Sequence, residues 1–182
     1  MGVIESLGFG SLFVITLRIF AAITIFRWPL FGTVFSILAD LLDVVILTFL
    51  PGNSFYNDNY TKVDKALDWV FLLVITIYAF RNWKGIERNV SLCLFGYRTI
   101  GVILIETVGT RELLFVFPNL FLLFALFVMC RDKYFPSFKI TNKNIAPILL
   151  ILLVPKLFQE YVLHIAQVHP WGWMMGKLGL GS

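Results

Sequence analysis

The chain has 182 residues, enough for one domain, and 59% of them are hydrophobic while only 14% are charged. A mean hydropathy of +0.85 sets it apart from ordinary soluble domains, in which about half the residues are apolar and about a quarter are charged. The net charge of +4 comes without the dense basic stripe that nucleic acid requires, which excludes a nucleic-acid partner.

Six apolar stretches come near the ~20 residues that a membrane helix needs. They run from Leu7 to Phe26, Leu30 to Leu50, Val63 to Phe80, Val90 to Val108, Leu113 to Cys130 and Ile145 to Ile165. The expected fold is therefore all-α, a polytopic membrane bundle of about six transmembrane helices forming one domain over residues 1–182. The links are short, so neighbours should pair as antiparallel hairpins. Arg27-Trp28-Pro29 separates the first two stretches, and Pro51-Gly52-Asn53-Ser54 stops the second with turn-forming residues. Arg81-Asn82-Trp83-Lys84, Gly109-Thr110-Arg111-Glu112 and Arg131-Asp132-Lys133 mark the later boundaries. Trp28, Trp83, Trp171 and Trp173 fall at helix ends, where amphipathic rings favour an interface. Pro118 and Pro155 lie inside apolar stretches and would kink them. Cys93 and Cys130 lack metal or redox spacing and read as packing residues.

Orientation follows from Lys and Arg outside the stretches. Lys62, Lys65, Arg111 and Lys177 share one side, and the other holds twice as many: Arg27, Arg81, Lys84, Arg88, Arg131, Lys133, Lys139 and Lys143. This predicts an integral, multi-pass protein with both termini outside or lumenal, and the lipid bilayer as its first partner.

The charges within the stretches carry the functional signal. Arg18 lies in the first, Asp40 and Asp43 in the second, Asp64 and Asp68 in the third, Arg98 and Glu106 in the fourth, and Lys156 and Glu160 in the sixth. A lone charge at a bilayer centre costs about 2.5–3.5 kcal/mol on insertion scales, so these side chains should face one another, water or a ligand. A helix rise of about 1.5 Å places Arg18, Asp40, Arg98 and Lys156 within roughly 3 Å of the midplane, with most acids between them and one face. Asp40 and Asp43 are spaced i,i+3 and Asp64 and Asp68 i,i+4, so each pair shares a helix face. Converging carboxylates suit a hard divalent cation such as Mg or Mn. Without one, close acids push a pKa upward and trap a proton.

A packing explanation stands beside the functional one. Arg18 could pair with Asp40 or Asp43, Arg98 with Asp68 or Glu106, and Lys156 with Glu160, all merely to fix helix register. His164 and His169 lack partners at ligand spacing. The P-loop, GxSxG, HExxH and dinucleotide-binding fingerprints are all missing.

Asp40-Leu41-Leu42-Asp43 and Asp64-Lys65-Ala66-Leu67-Asp68 resemble the acid signature of CDP-alcohol phosphatidyltransferases, DxxDGxxAR followed by GxxxDxxxD on helices two and three. Val44, Leu47, Thr48 and Tyr60 stand where that signature has Gly, Ala, Arg and Gly, and the interval between the acid pairs is longer. The resemblance covers about thirty residues. It implies a divalent metal held by Asp40, Asp43, Asp64 and Asp68, and a phosphate or lipid head group near deep bases such as Arg98.

Three functions stay open from the residues. The first is the binding and transport of a small cation or amine-like solute by Arg18, Arg98, Glu106, Lys156 and Glu160 together with the acids. The second is a degenerate metal-dependent lipid head-group transferase. The third is a structural or accessory membrane subunit. A small helical unit of this kind is also expected to be able to form a homodimer.

Overall fold

A computed structural model describes residues 8–50, 54–108 and 116–161, excluding the side chains of residues 44, 48, 54–61, 105, 106, 108 and 160. The described residues form six α-helices: α1 (Phe9–Thr24), α2 (Pro29–Phe49), α3 (Ser54–Asn82), α4 (Ile86–Val108), α5 (Leu120–Tyr134) and α6 (Ile145–Glu160). They divide into two compact units. One comprises residues 1–89 and 125–139, and the other residues 90–124 and 140–182.

Local chemistry sets the helix ends. Pro29 takes the first turn of α2, where its missing N–H costs nothing. Gly32 lets α2 approach the end of α1, since a Cβ there would lie 2.5 Å from the Ile25 backbone nitrogen. Asn82 closes α3 by donating from its side-chain amide to the Tyr78 carbonyl at 2.9 Å. Gly85, at φ 59°, makes the left-handed turn before α4, a conformation that disfavours other side chains.

In the first unit, α1 packs against both α2 and α3. Val14, Leu47 and Leu67 form a buried apolar cluster, flanked by Ile15, Ile46 and Val63. The spacing of this cluster positions the charges. Arg18 lies four residues beyond Val14, Asp43 four before Leu47, and Asp64 three before Leu67, so each charge stands one turn from a core residue on the same face. Thr33, fully buried in α2, donates to the Met129 sulfur of α5 at 3.2 Å.

The expected membrane architecture is corrected. Among the described residues, no helix is long and apolar enough to cross a membrane. With 16, 15 and 16 residues, α1, α5 and α6 reach only about 22–24 Å, against a hydrocarbon core of about 30 Å. The longer helices carry charges along their length: Asp40 and Asp43 in α2, Asp64, Lys65 and Asp68 in α3, and Arg88 and Arg98 in α4. The transmembrane, multi-pass and integral-membrane expectations, and the transport through a bilayer that depended on them, are therefore withdrawn. The apolar stretches supply the helices and also a large apolar exterior: Phe9, Phe20, Ile23, Phe31, Phe49 and Ile151 are among the exposed side chains. Both termini, with His164, His169, Trp171 and Trp173, lie outside the described residues.

Boundaries moved where polar residues were helical. α3 begins at Ser54 rather than Val63, and α4 at Ile86 rather than Val90. Pro118 does not kink a helix. It precedes α5, and the Asn119 side chain accepts the Leu122 N–H at 3.3 Å as an N-terminal cap. Pro155 does lie inside α6. Cys93 is exposed, and Trp83 is buried, edge-on to Tyr78 with ring centroids 6.2 Å apart.

Candidate functional site

The site is built on α1, α2 and α3 of the first unit. Arg18 reaches from α1 into the space between the two acid pairs. Its Nη1 donates to Asp43 Oδ2 at 2.9 Å and to Asp64 Oδ1 at 2.7 Å. Its Nη2 donates to Asp68 Oδ1 at 2.7 Å and also pairs with Asp40 Oδ1. One planar cation thus gathers four carboxylates, two on each terminal nitrogen. The fork of the guanidinium suits this arrangement, because its donors diverge at fixed angles.

Exposure is graded across the cluster. The side chains of Arg18 and Asp43 are 6% and 2% exposed, that of Asp64 28%, and those of Asp40 and Asp68 44% and 52%. The pocket floor is therefore the Arg18–Asp43 pair, and Asp40 and Asp68 form its rim. When all five groups are ionised, one positive charge faces four negative ones.

That imbalance shapes the protonation equilibria. Burial pushes the Asp40 carboxyl above its ordinary value, Arg18 pulls it back, and the neighbouring charges of Asp64 and Asp43 add to the rise. For Arg18, burial opposes the charge, but the hydrogen bond with Asp64 and the charges of Asp40 and Asp68 outweigh it. Its guanidinium is held above its ordinary value and stays charged.

The acids also approach one another. Asp40, Asp43 and Asp64 each offer an oxygen, and these oxygens lie within 4.8 Å of one another. Oxygen ligands of a divalent cation stand at separations of this order, so the three carboxylates could hold one. Asp68 lies beyond this group of three, on Arg18 Nη2.

Arg98 belongs to the second unit, where its Nη1 donates to the Phe117 carbonyl at 2.8 Å. Beside it, the Tyr97 hydroxyl donates to the Val116 carbonyl at 2.5 Å. Lys156, also in the second unit, donates to Gln159 Oε1 at 3.0 Å. The side chains of Glu106 and Glu160 lie outside the described residues.

A second charged cluster went unnoticed in the sequence. Arg131 is buried in α5, where its Nη2 pairs with Glu87 at 2.7 Å and with Asp132 at 2.9 Å, and its Nη1 donates to the Phe138 carbonyl at 3.1 Å. Arg131 was expected in a link between apolar stretches, and Glu87 falls between the third and fourth of them. Their distance along the chain hides the pair, and only the arginine's position next to the apolar run Phe121–Cys130 hints at burial.

No family model matches the chain, and no curated protein or solved structure matches it.

Proposed function

We propose that the first unit binds a small cation at the four-aspartate cluster, in competition with the Arg18 guanidinium. The observation that carries this reading is the convergence of Asp40, Asp43, Asp64 and Asp68 on one cation. Like charges this close destabilise one another, and an added cation relieves the repulsion. Arg18 acts as a tethered stand-in: it satisfies the acids when no ligand is bound and gives way at the exposed rim when one is. The ligand is a hard divalent ion, or an amine or guanidinium compound that donates to the same oxygens. Asp43 anchors Arg18 at the floor, while Asp40 and Asp64 meet the incoming charge.

Isothermal titration of the purified protein with Mn²⁺, and separately with a small guanidinium compound, tests this. Saturable binding that is lost in the Asp40→Asn/Asp64→Asn double variant is the expected result. The absence of binding by either probe would remove the proposal.

A second reading draws support from the spacing of the Asp40, Asp43 and Asp64 oxygens: a divalent ion there would serve a phosphatidyl-transfer reaction of the CDP-alcohol type. Metal-dependent release of CMP from a CDP-linked lipid is its assay, and silence across several alcohols would eliminate it. In either reading the exposed apolar side chains require an apolar covering, either lipid or a second copy of the chain.

A further inference from the structure

On the first unit a cavity of about 330 Å³ is lined by Arg27, Trp28, Phe31, Tyr78, Met129 and Lys133, with Pro29, Leu30 and Asp132 completing the wall. It is separate in sequence from the aspartate cluster: none of the five charged residues there lines it. Its size falls at the lower end of small-molecule sites, which are mostly apolar with a few placed polar groups. Trp28, Pro29, Leu30, Phe31 and Met129 supply the apolar wall.

The charges of this cavity are uneven. Its one acid, Asp132, is engaged by Arg131 at 2.9 Å. Among the described residues, neither of its two bases makes an ion pair. Arg27 lies 6.0 Å from the Trp28 ring centroid and Lys133 5.2 Å from that of Tyr134, contacts that leave their donors available. Both are exposed, so they stand at the mouth rather than the floor. Tyr78 adds a phenol that burial, and then Asp132, holds above its ordinary pKa, so it stays a hydrogen-bond donor at neutral pH.

We infer that this cavity binds an anionic amphiphile, with its acyl or similar apolar portion against Trp28, Phe31 and Met129 and its carboxylate or phosphate between Arg27 and Lys133. The two bases give the head group charge-assisted hydrogen bonds, and the apolar wall removes the tail from water. A free fatty acid and an anionic phospholipid share this chemistry.

Trp28 provides the readout, because a brominated chain in the cavity quenches its fluorescence. The purified protein is titrated with a dibrominated fatty acid, with its neutral methyl ester, and with a dibrominated phosphatidic acid. Saturable quenching by at least one of the anions is expected, about tenfold weaker for the ester and in the Arg27→Gln/Lys133→Gln variant, as the loss of a charge-assisted contact predicts. The quenching should weaken in Trp28→Phe, which leaves Trp83, edge-on to the cavity residue Tyr78, as the nearest remaining reporter. Whichever anion binds more tightly identifies the source. Equal affinity for the ester, unchanged affinity in the double variant, quenching of the same depth in Trp28→Phe, or no quenching by either anion would overturn the inference. Arg27 and Lys133 are exposed, so their replacement leaves the fold in place to be measured.

Discussion

Arg18 Nη1 lies 2.9 Å from Asp43 Oδ2, and both side chains are almost entirely removed from solvent. This pair joins α1 to α2 one turn from the apolar contact between Val14 and Leu47. A buried charge that loses its partner costs far more than the pair itself contributes. The floor of the site is thus a structural commitment, whereas its rim is exposed enough to exchange partners.

Arg18→Gln should lower stability by about 3–5 kcal/mol at neutral pH, because it leaves Asp43 buried and four acids facing one another. Lowering the pH should recover part of the loss as the carboxyls take up protons. Chemical denaturation of both proteins at pH 7 and pH 5 checks this. A loss that is unchanged between the two pH values would count against carboxylate repulsion as its source.

Asp43→Asn and Asp68→Asn should differ. The first weakens a buried charge-assisted bond and should cost about 1.5–3 kcal/mol. The second alters a half-exposed pair and should cost about 1 kcal/mol or less. Equal losses in denaturation midpoint would contradict the floor-and-rim arrangement.

Asp40→Asn should separate stability from binding. The raised Asp40 pKa means that the folded protein holds its proton more tightly than the unfolded chain. Its contribution to stability is therefore fully present below the unfolded value and declines as pH rises through the folded one. At neutral pH the Asn variant should melt at the same temperature as the parent or higher, yet bind cations more weakly. In the parent, cation binding should tighten as pH rises through the Asp40 value, since proton and cation compete for one oxygen. A variant that melts markedly lower would reverse the sign.

Gly32→Ala tests the close approach of α2 to the end of α1. The new methyl would press on the Ile25 and Thr24 backbone, which cannot move aside as a side chain could. Overpacking of this kind typically costs 1–3 kcal/mol. Thermal melting of the variant gives the answer, and an unchanged midpoint would refute the contact.

Much of the acid cluster could be read from spacing alone. Asp40 with Asp43 and Asp64 with Asp68 sit at helical intervals on consecutive helices, and α1 packs against both of those helices. Arg18 was recognisable as a partner for Asp40 or Asp43. Its hold on all four acids was not, because that depends on α1 packing against both α2 and α3. The hydrogen bond from Arg98 Nη1 to the Phe117 carbonyl could not be foreseen, because a backbone acceptor carries no sequence signal. The start of α3 was missed because Ser54 to Lys62 is polar, and periodicity of apolar residues is blind to a polar helical turn. The membrane reading rested on the length of apolar stretches, whereas no described helix is long and apolar enough to cross a membrane.

Competition between Arg18 and an added cation is most directly measured as Mn²⁺ affinity in the parent and in Arg18→Lys and Arg18→Gln. The Lys variant keeps a charge but loses the two-nitrogen fork, and it guards against a Gln variant that fails to fold. Weaker competition should tighten Mn²⁺ binding in the order parent, Lys, Gln. Affinity that stays constant or falls across the series would contradict the account and leave the five side chains as a fastening between helices.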